Sequence, residues 1–240
     1  MSRDTKEPVR EGYGPIRTIL YAVMWLAGNL FFRVWLRLRV RGRPRPFPKG
    51  ALVVAANHCS FIDPLILAVT VPRRVVYMVT SSVYDLPFYR PWMWLFGCIR
   101  VQDHSVNVGA MHAALAALRR GQVVGIFPEG GLADDGRMKE GQIGVASLLL
   151  LGDAPVQTMA IVGTHEALPR ERKFPRPVRV EVRYADVIRP GEVDGGLDPR
   201  ARRRLLRDRV MAAIAKELPE RMRPARDGDK TSATAAGPSN

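Results

Sequence analysis

The 240-residue chain is long enough to bury one substantial core, and nothing in its length requires a second domain. Its two cysteines, Cys59 and Cys98, exclude a disulfide framework and make a reducing compartment the expectation. With 37 Lys+Arg against 23 Asp+Glu, a formal net charge of +14, the expected partners are anionic; nucleic acid, an anionic membrane surface and a phosphorylated small molecule all qualify, and charge alone does not choose among them.

In chain order, the first distinctive segment is the uncharged run Thr18 to Phe32, bracketed by Arg17 and Arg33. It falls short of the roughly 20 apolar residues that span the hydrocarbon core. A signal peptide fits poorly too, since the run starts late and no small-residue cleavage site follows. A core helix remains one reading. The favoured one is a helix lying in or dipping into the bilayer, with Trp25 and Trp35 near the headgroups and Arg33, Arg37, Arg39 and Arg41 against anionic lipid.

From Gly50 onward, short β-branched runs alternate with runs of helical period, which predicts an α/β domain with a mixed, largely parallel sheet flanked by helices. The expected strands are Ala51 to Ala56, Arg74 to Thr80, Cys98 to Val101, Gln122 to Phe127, Pro155 to Val162 and Val178 to Tyr184. A short helix is expected over Pro64 to Val71, because Asp63 is a preferred cap and Pro64 suits a first turn. Ser105 to Arg120 has Val108, Met111, Leu115 and Leu118 at helical spacing and Gly121 as its left-handed stop; Gln142 to Leu151 ends in the same way at Gly152. Arg202 to Leu218 reads as an Arg-rich helix with Leu205, Leu206, Val210, Ala213, Ile214 and Leu218 on one face. Residues 224–240 are too poor in large apolar groups to repay ordering. The expected organisation is thus a membrane-associating segment over 1–41, the α/β domain over 42–190, a basic helix over 191–223 and a loose tail over 224–240.

Two segments carry chemistry: Asn57-His58-Cys59-Ser60-Phe61-Ile62-Asp63-Pro64, and Phe127-Pro128-Glu129-Gly130-Gly131. Both follow strands, and in a sheet with parallel neighbours the loops after strands gather at one edge. His58 has the one side chain there whose ordinary pKa suits proton abstraction near neutrality, and Asp63, five residues on, is placed to hold its second nitrogen. Asp63 also has a purely structural reading as a helix cap, and the two roles can coexist on its two oxygens.

The pattern NHxxxxDP after one strand and FPEGG after another about seventy positions later resembles the lysophospholipid and glycerolipid acyltransferase family over roughly Arg41 to Val187. The likeness extends to Gly97-Cys98-Ile99-Arg100-Val101 and to Ala154-Pro155-Val156. The resemblance implies that His58 takes the acceptor hydroxyl's proton, that the oxygen attacks an acyl thioester, and that Asp63 steadies the imidazolium without an acyl-enzyme at Cys59 or Ser60. It further implies substrate contacts from Asn57, Ser60, Phe127, Pro128, Glu129, Gly130 and Gly131, no cofactor and no metal, with acyl-CoA or acyl-ACP as co-substrate. Two departures stand out. The family's FPEGTR becomes Gly131-Leu132 at its last two positions, and its Asp-Arg after the glycine-led strand becomes Gln102-Asp103, so Arg100, Arg137 and Lys139 are the nearby cations left to meet a phosphate. The expectation is O-acylation of a lipid on the cytoplasmic face of the cell membrane, with 1-acyl-glycerol-3-phosphate as default acceptor, giving phosphatidic acid in phospholipid biosynthesis. A glycolipid, an amino-lipid or another lysophospholipid is the alternative acceptor, and a non-catalytic basic membrane-binding protein is the rival of another class. Metal binding by His58, Asp63, Asp103, His104 and His112 lacks a familiar spacing, and no nucleic-acid motif accompanies the basic helix.

Overall fold

A computed structural model describes residues 14–87, 90–101, 108–193 and 196–224, apart from the side chains of Pro91 and Trp92. Among them run α1 (Pro15–Trp35), β1 (Arg39–Arg41), β2 (Leu52–Ala56), α2 (Asp63–Thr70), β3 (Val75–Thr80), α3 (Ser81–Tyr84), α4 (Arg90–Phe96), β4 (Ile99–Val101), α5 (Val108–Arg119), β5 (Val123–Ile126), α6 (Ile143–Gly152), β6 (Val156–Val162), α7 (Thr164–Ala167), β7 (Glu181–Ile188) and α8 (Pro199–Glu217). The seven strands form one sheet in the order β1-β7-β6-β2-β5-β3-β4, in which only β6 and β7 pair antiparallel. The mixed, largely parallel sheet is the one the strand pattern predicts.

Period two divides the core. Val53 and Ala55 of β2 face one side, with α5, α6 and α8, while Leu52, Val54 and Ala56 face the other, with α1 and α2. Every residue of β2 is buried, as a central strand covered on both faces requires.

Several boundaries differ from expectation. The last strand runs Glu181–Ile188 rather than Val178 to Tyr184, because it pairs antiparallel with β6 around a register shift and carries half-buried Arg183 and exposed Asp186 at positions that break the apolar run. The basic helix begins at Pro199, three residues before Arg202, since Asp198 caps it by accepting from the amides of Arg200 and Ala201. On it Leu205 is exposed, and Met211 takes the place assigned to Leu205 in the buried face. Val108 is likewise exposed on α5, where Ala110, Ala114 and Ala117 join Leu115 and Leu118 in the core. The α6 helix includes Gly152, and Asp153 supplies the left-handed residue. Ser105 to Asn107, Gln102, Asp103, His104 and the tail from 225 lie outside the described residues.

The N-terminal helix is longer than its uncharged run. Its 21 residues reach about 31 Å and make it long and apolar enough to cross a membrane. Yet it lies along the domain. At one end Arg17 donates to the Trp94 carbonyl and Tyr21 meets the Phe96 ring edge-on at 5.7 Å; at the other, the Trp35 indole donates to the Pro175 carbonyl at 2.9 Å. Midway, Asn29 donates to Val69 at the end of α2. The opposite side is an unbroken apolar stripe of Ile16, Ile19, Leu20, Val23, Leu26, Leu30 and Val34, with Leu26 65% and Leu30 64% exposed.

Candidate active site

Strands β2, β5, β3 and β4 run parallel, so their carboxyl ends share one edge of the sheet. His58 leaves that edge after β2 and Phe127 after β5, and their rings stack with centroids 4.0 Å apart and planes 15° apart. Tyr77, at the end of the stretch of β3 that pairs with β5, also stacks with Phe127, with centroids 6.4 Å apart. That row needs Gly125, because a Cβ there would stand 2.3 Å from the Tyr77 ring. The sequence reading missed Tyr77; the available signal was a glycine inside an apolar strand, which marks a close approach.

Asp63 is fully buried. Its Oδ2 accepts from His58 Nδ1 at 3.0 Å and from the amides of Cys59 and Ser60 at 2.7 Å each. The expected division of labour between two oxygens is therefore wrong. One oxygen orients the imidazole and folds the loop, Oδ1 has no hydrogen-bond partner among the described residues, and Asp63 is the first residue of α2 while Ile62 takes the cap position. With Nδ1–H committed to the carboxylate, the lone pair of the neutral ring sits on Nε2.

Neighbouring side chains build this loop. Asn57 is buried, donates to the Ile161 carbonyl at 2.9 Å and accepts from the Ile161 amide at 2.8 Å, extending the β2–β6 ladder by one side chain. Ser60 donates to the Leu168 carbonyl at 2.8 Å. Cys59 is buried, and burial first, with the Asp63 charge second, pushes its thiol up to about 12. A thiol so held is protonated, which argues against it as nucleophile.

Glu129 is only 4% exposed. Its Oε1 accepts from the His58 amide and its Oε2 from the Lys139 amide, both at 2.8 Å. Burial raises its carboxyl above the ordinary value against the pull of those two amides. The carboxylate thus ties the two loops together. Pro128 is buried, and its carbonyl accepts from the Gln142 amide at 2.6 Å. Gly130 has φ +73°, and a Cβ on it would meet Gln142 at 2.9 Å, whereas a Cβ on Gly131 would meet nothing within 4 Å. The space in front of the loop is open at Gly131.

The candidate cations are dispersed. Arg100 stands on edge strand β4, three strands from β2 and so about 14 Å away, with its guanidinium on both carboxylate oxygens of Asp85. Arg137 is exposed, and its backbone amide donates to Asp135. Lys139 folds its ammonium onto the Leu132 carbonyl, which puts it beside the open turn. Among the described residues, no group of three or more His, Cys, Asp and Glu side chains could hold a metal ion.

A buried carboxylate, an imidazole whose Nε2 makes no hydrogen bond among the described residues and an open, glycine-lined turn have the geometry that a general base beside a binding space requires. Comparison with known proteins bears on the family and the fold. A family model described as Acyltransferase matches residues 37–162. A 1-acyl-sn-glycerol-3-phosphate acyltransferase of Borreliella burgdorferi is 29% identical over 117 residues, 48% of this chain and 44% of that protein. One from Cocos nucifera is 23% identical over 171 residues, covering 70% and 52%. The chain spans about half the length of these relatives. The crystal structure of the 1-acyl-sn-glycerophosphate (LPA) acyltransferase PlsC from Thermotoga maritima superposes with a TM-score of 0.66 at 19% identity, over 84% of this chain and 81% of that one, a likeness of fold.

Proposed function

The chain belongs to the acyltransferase family, and on that premise we propose that it moves a fatty acyl group from acyl-CoA or acyl-ACP to a lipid hydroxyl at the cytoplasmic face of the cell membrane. The observation that carries the reading is the Asp63–His58 pair, with Nε2 making no hydrogen bond among the described residues. The acceptor O–H gives its proton to Nε2, and the oxygen adds to the thioester carbonyl carbon. The C–S bond then breaks, and the departing sulfur takes the proton back from the imidazolium that Asp63 stabilises. The products are an O-acyl ester and a free thiol. His58, Cys59 and Asp63 return unchanged.

The apolar stripe of α1 supports action on a membrane, and it lies on the same side of the sheet as the His58–Phe127 stack. Phe61 and Leu65, from the catalytic loop and the first turn of α2, are exposed as well, and Phe174 packs against Trp35. A helix held to the domain at both ends with one apolar face free suits the bilayer interface better than a span. Truncation would uncover α2, so the informative variant is Val23→Asp/Leu26→Asp/Leu30→Asp. It should leave thermal unfolding nearly unchanged and release the protein from anionic vesicles in a sedimentation assay; co-sedimentation equal to wild type would remove α1 from the membrane contact.

For the acceptor, 1-acyl-glycerol-3-phosphate is the default because it agrees with the relatives' names. A second reading, an acceptor without a phosphate monoester, is favoured by the leucine at position 132 and by the engagement of Arg100 with Asp85. Leucine offers a phosphate neither charge nor donor. Leu132→Arg should raise the ratio of specificity constants for lysophosphatidate over an uncharged hydroxyl lipid by roughly tenfold, the worth of a charge-assisted hydrogen bond. A strong wild-type preference for lysophosphatidate that ignores Leu132→Arg but is lost on replacing Lys139 would place phosphate recognition on Lys139 instead.

A further inference from the structure

On the α8 side of the sheet, away from α1, a cavity of about 340 Å³ opens between α8 and the loop that follows the glycine turn. Its floor is Met138, Met211 and Ala215. On the rim Lys139 and Arg207 are answered by Glu140 and Asp208, so the lining carries no net formal charge. This loop is pressed against the helix, because a Cβ on Gly141 would stand 2.6 Å from Met211. The cavity also lies close to the chemistry. Lys139 and His58 donate their amides to the two oxygens of Glu129, which limits the separation of those nitrogens to about 8 Å.

From the cavity a basic stripe runs toward the start of α8. Arg200, Arg203, Arg204 and Arg207 are spaced to share one side of the helix with Met211. Arg207 pairs with Asp208, and Asp198 lies beside Arg203 and Arg204, but Arg200, Arg203 and Arg204 form no ion pair among the described residues. A bilayer held against the α1 stripe would not bring headgroups to them. With the sheet between, α8 lies roughly 20 Å from α1, well beyond a Debye length of about 8 Å.

We infer that this cavity and stripe receive the phosphopantetheine arm of the acyl donor, an inference that rests on the acyltransferase reading. The arm joins a neutral chain of amides and methylenes to a phosphate. A neutral, partly apolar cavity fits the chain, and the unpaired arginines one to two turns away fit the phosphate. The thioester at the end of the arm then crosses the Glu129-linked loops to reach His58 from the aqueous side, while the acyl chain and the lipid acceptor come from the α1 side. Coenzyme A and an acyl carrier protein both present this arm.

Calorimetric titration of the full chain with coenzyme A and with 4′-phosphopantetheine, neither acylated, tests the site without catalysis. Both should bind the wild type. Ala212→Trp, which fills the cavity from its exposed rim, should weaken both by about tenfold or more. Arg200→Ser/Arg204→Ser, a change of two exposed side chains, should weaken both by about fivefold or more. In transfer assays these variants should raise the donor KM and spare the acceptor KM, and a rise confined to acyl-CoA or to acyl carrier protein identifies the source of the arm. No binding to wild type, or unchanged affinity in both variants, overturns the inference. Wild-type binding with no acyl transfer to any acceptor would leave the site standing and remove the acyltransferase reading.

Discussion

His58→Ala should lower acyl transfer by roughly 10²- to 10⁴-fold, the usual worth of a positioned general base. The imidazole side chain is only 15% exposed, but it sits at the sheet edge, stacked on Phe127, and its removal leaves the backbone contacts of the loop in place. Those contacts are the His58 amide on Glu129 and the Ala133 amide on the His58 carbonyl, at 2.8 Å each. The fold should therefore survive, with circular dichroism and the urea midpoint close to wild type. Retention of most of the wild-type kcat would show that some other group takes the proton.

Asp63→Asn should separate chemistry from architecture. The amide oxygen can take the place of Oδ2 and still accept from the Cys59 and Ser60 amides, while the amide nitrogen falls where Oδ1 now has no partner. The hydrogen bonds that fold the loop persist, so the loss of stability should stay near 1 kcal/mol. What disappears is the charge opposite the imidazolium, and kcat should fall by about 10²-fold or more. Matched assays of kcat and urea unfolding decide it. A stability loss of several kcal/mol with a proportionate loss of activity would make Asp63 a purely structural residue.

How much of this was legible in the sequence depends on separation along the chain. Continuous apolar runs such as Leu52 to Ala56 read as buried strands because both faces of the sheet are covered. His58 and Asp63 read as a pair because five residues bring both to one loop. The three-residue strand Arg39–Arg41 reads as a basic flank in the sequence, since its pattern is two arginines around one valine and its pairing with β7 lies about 140 residues away. Asn57 and Ser60 read as substrate contacts through family likeness, yet their side chains are spent on Ile161 and Leu168, partners more than a hundred residues away. Glu129 was placed in the acceptor site, and its double amide contact with His58 and Lys139 needs three segments folded together. The α8 cavity likewise needs residues 138–141 and 207–215 brought into contact, and no local pattern announces that.

Direct transfer from a thioester to a lipid hydroxyl, with His58 as base, passes through no acyl-enzyme. A single-turnover experiment with the full chain, a radiolabelled acyl thioester and a panel of hydroxyl lipids in anionic vesicles tests it most directly. Label should appear in an O-acyl lipid at the rate at which thiol is released, with no label held by the protein at any time. Transfer to none of the lipids, or label passing first through a protein-bound acyl ester or thioester, would contradict it.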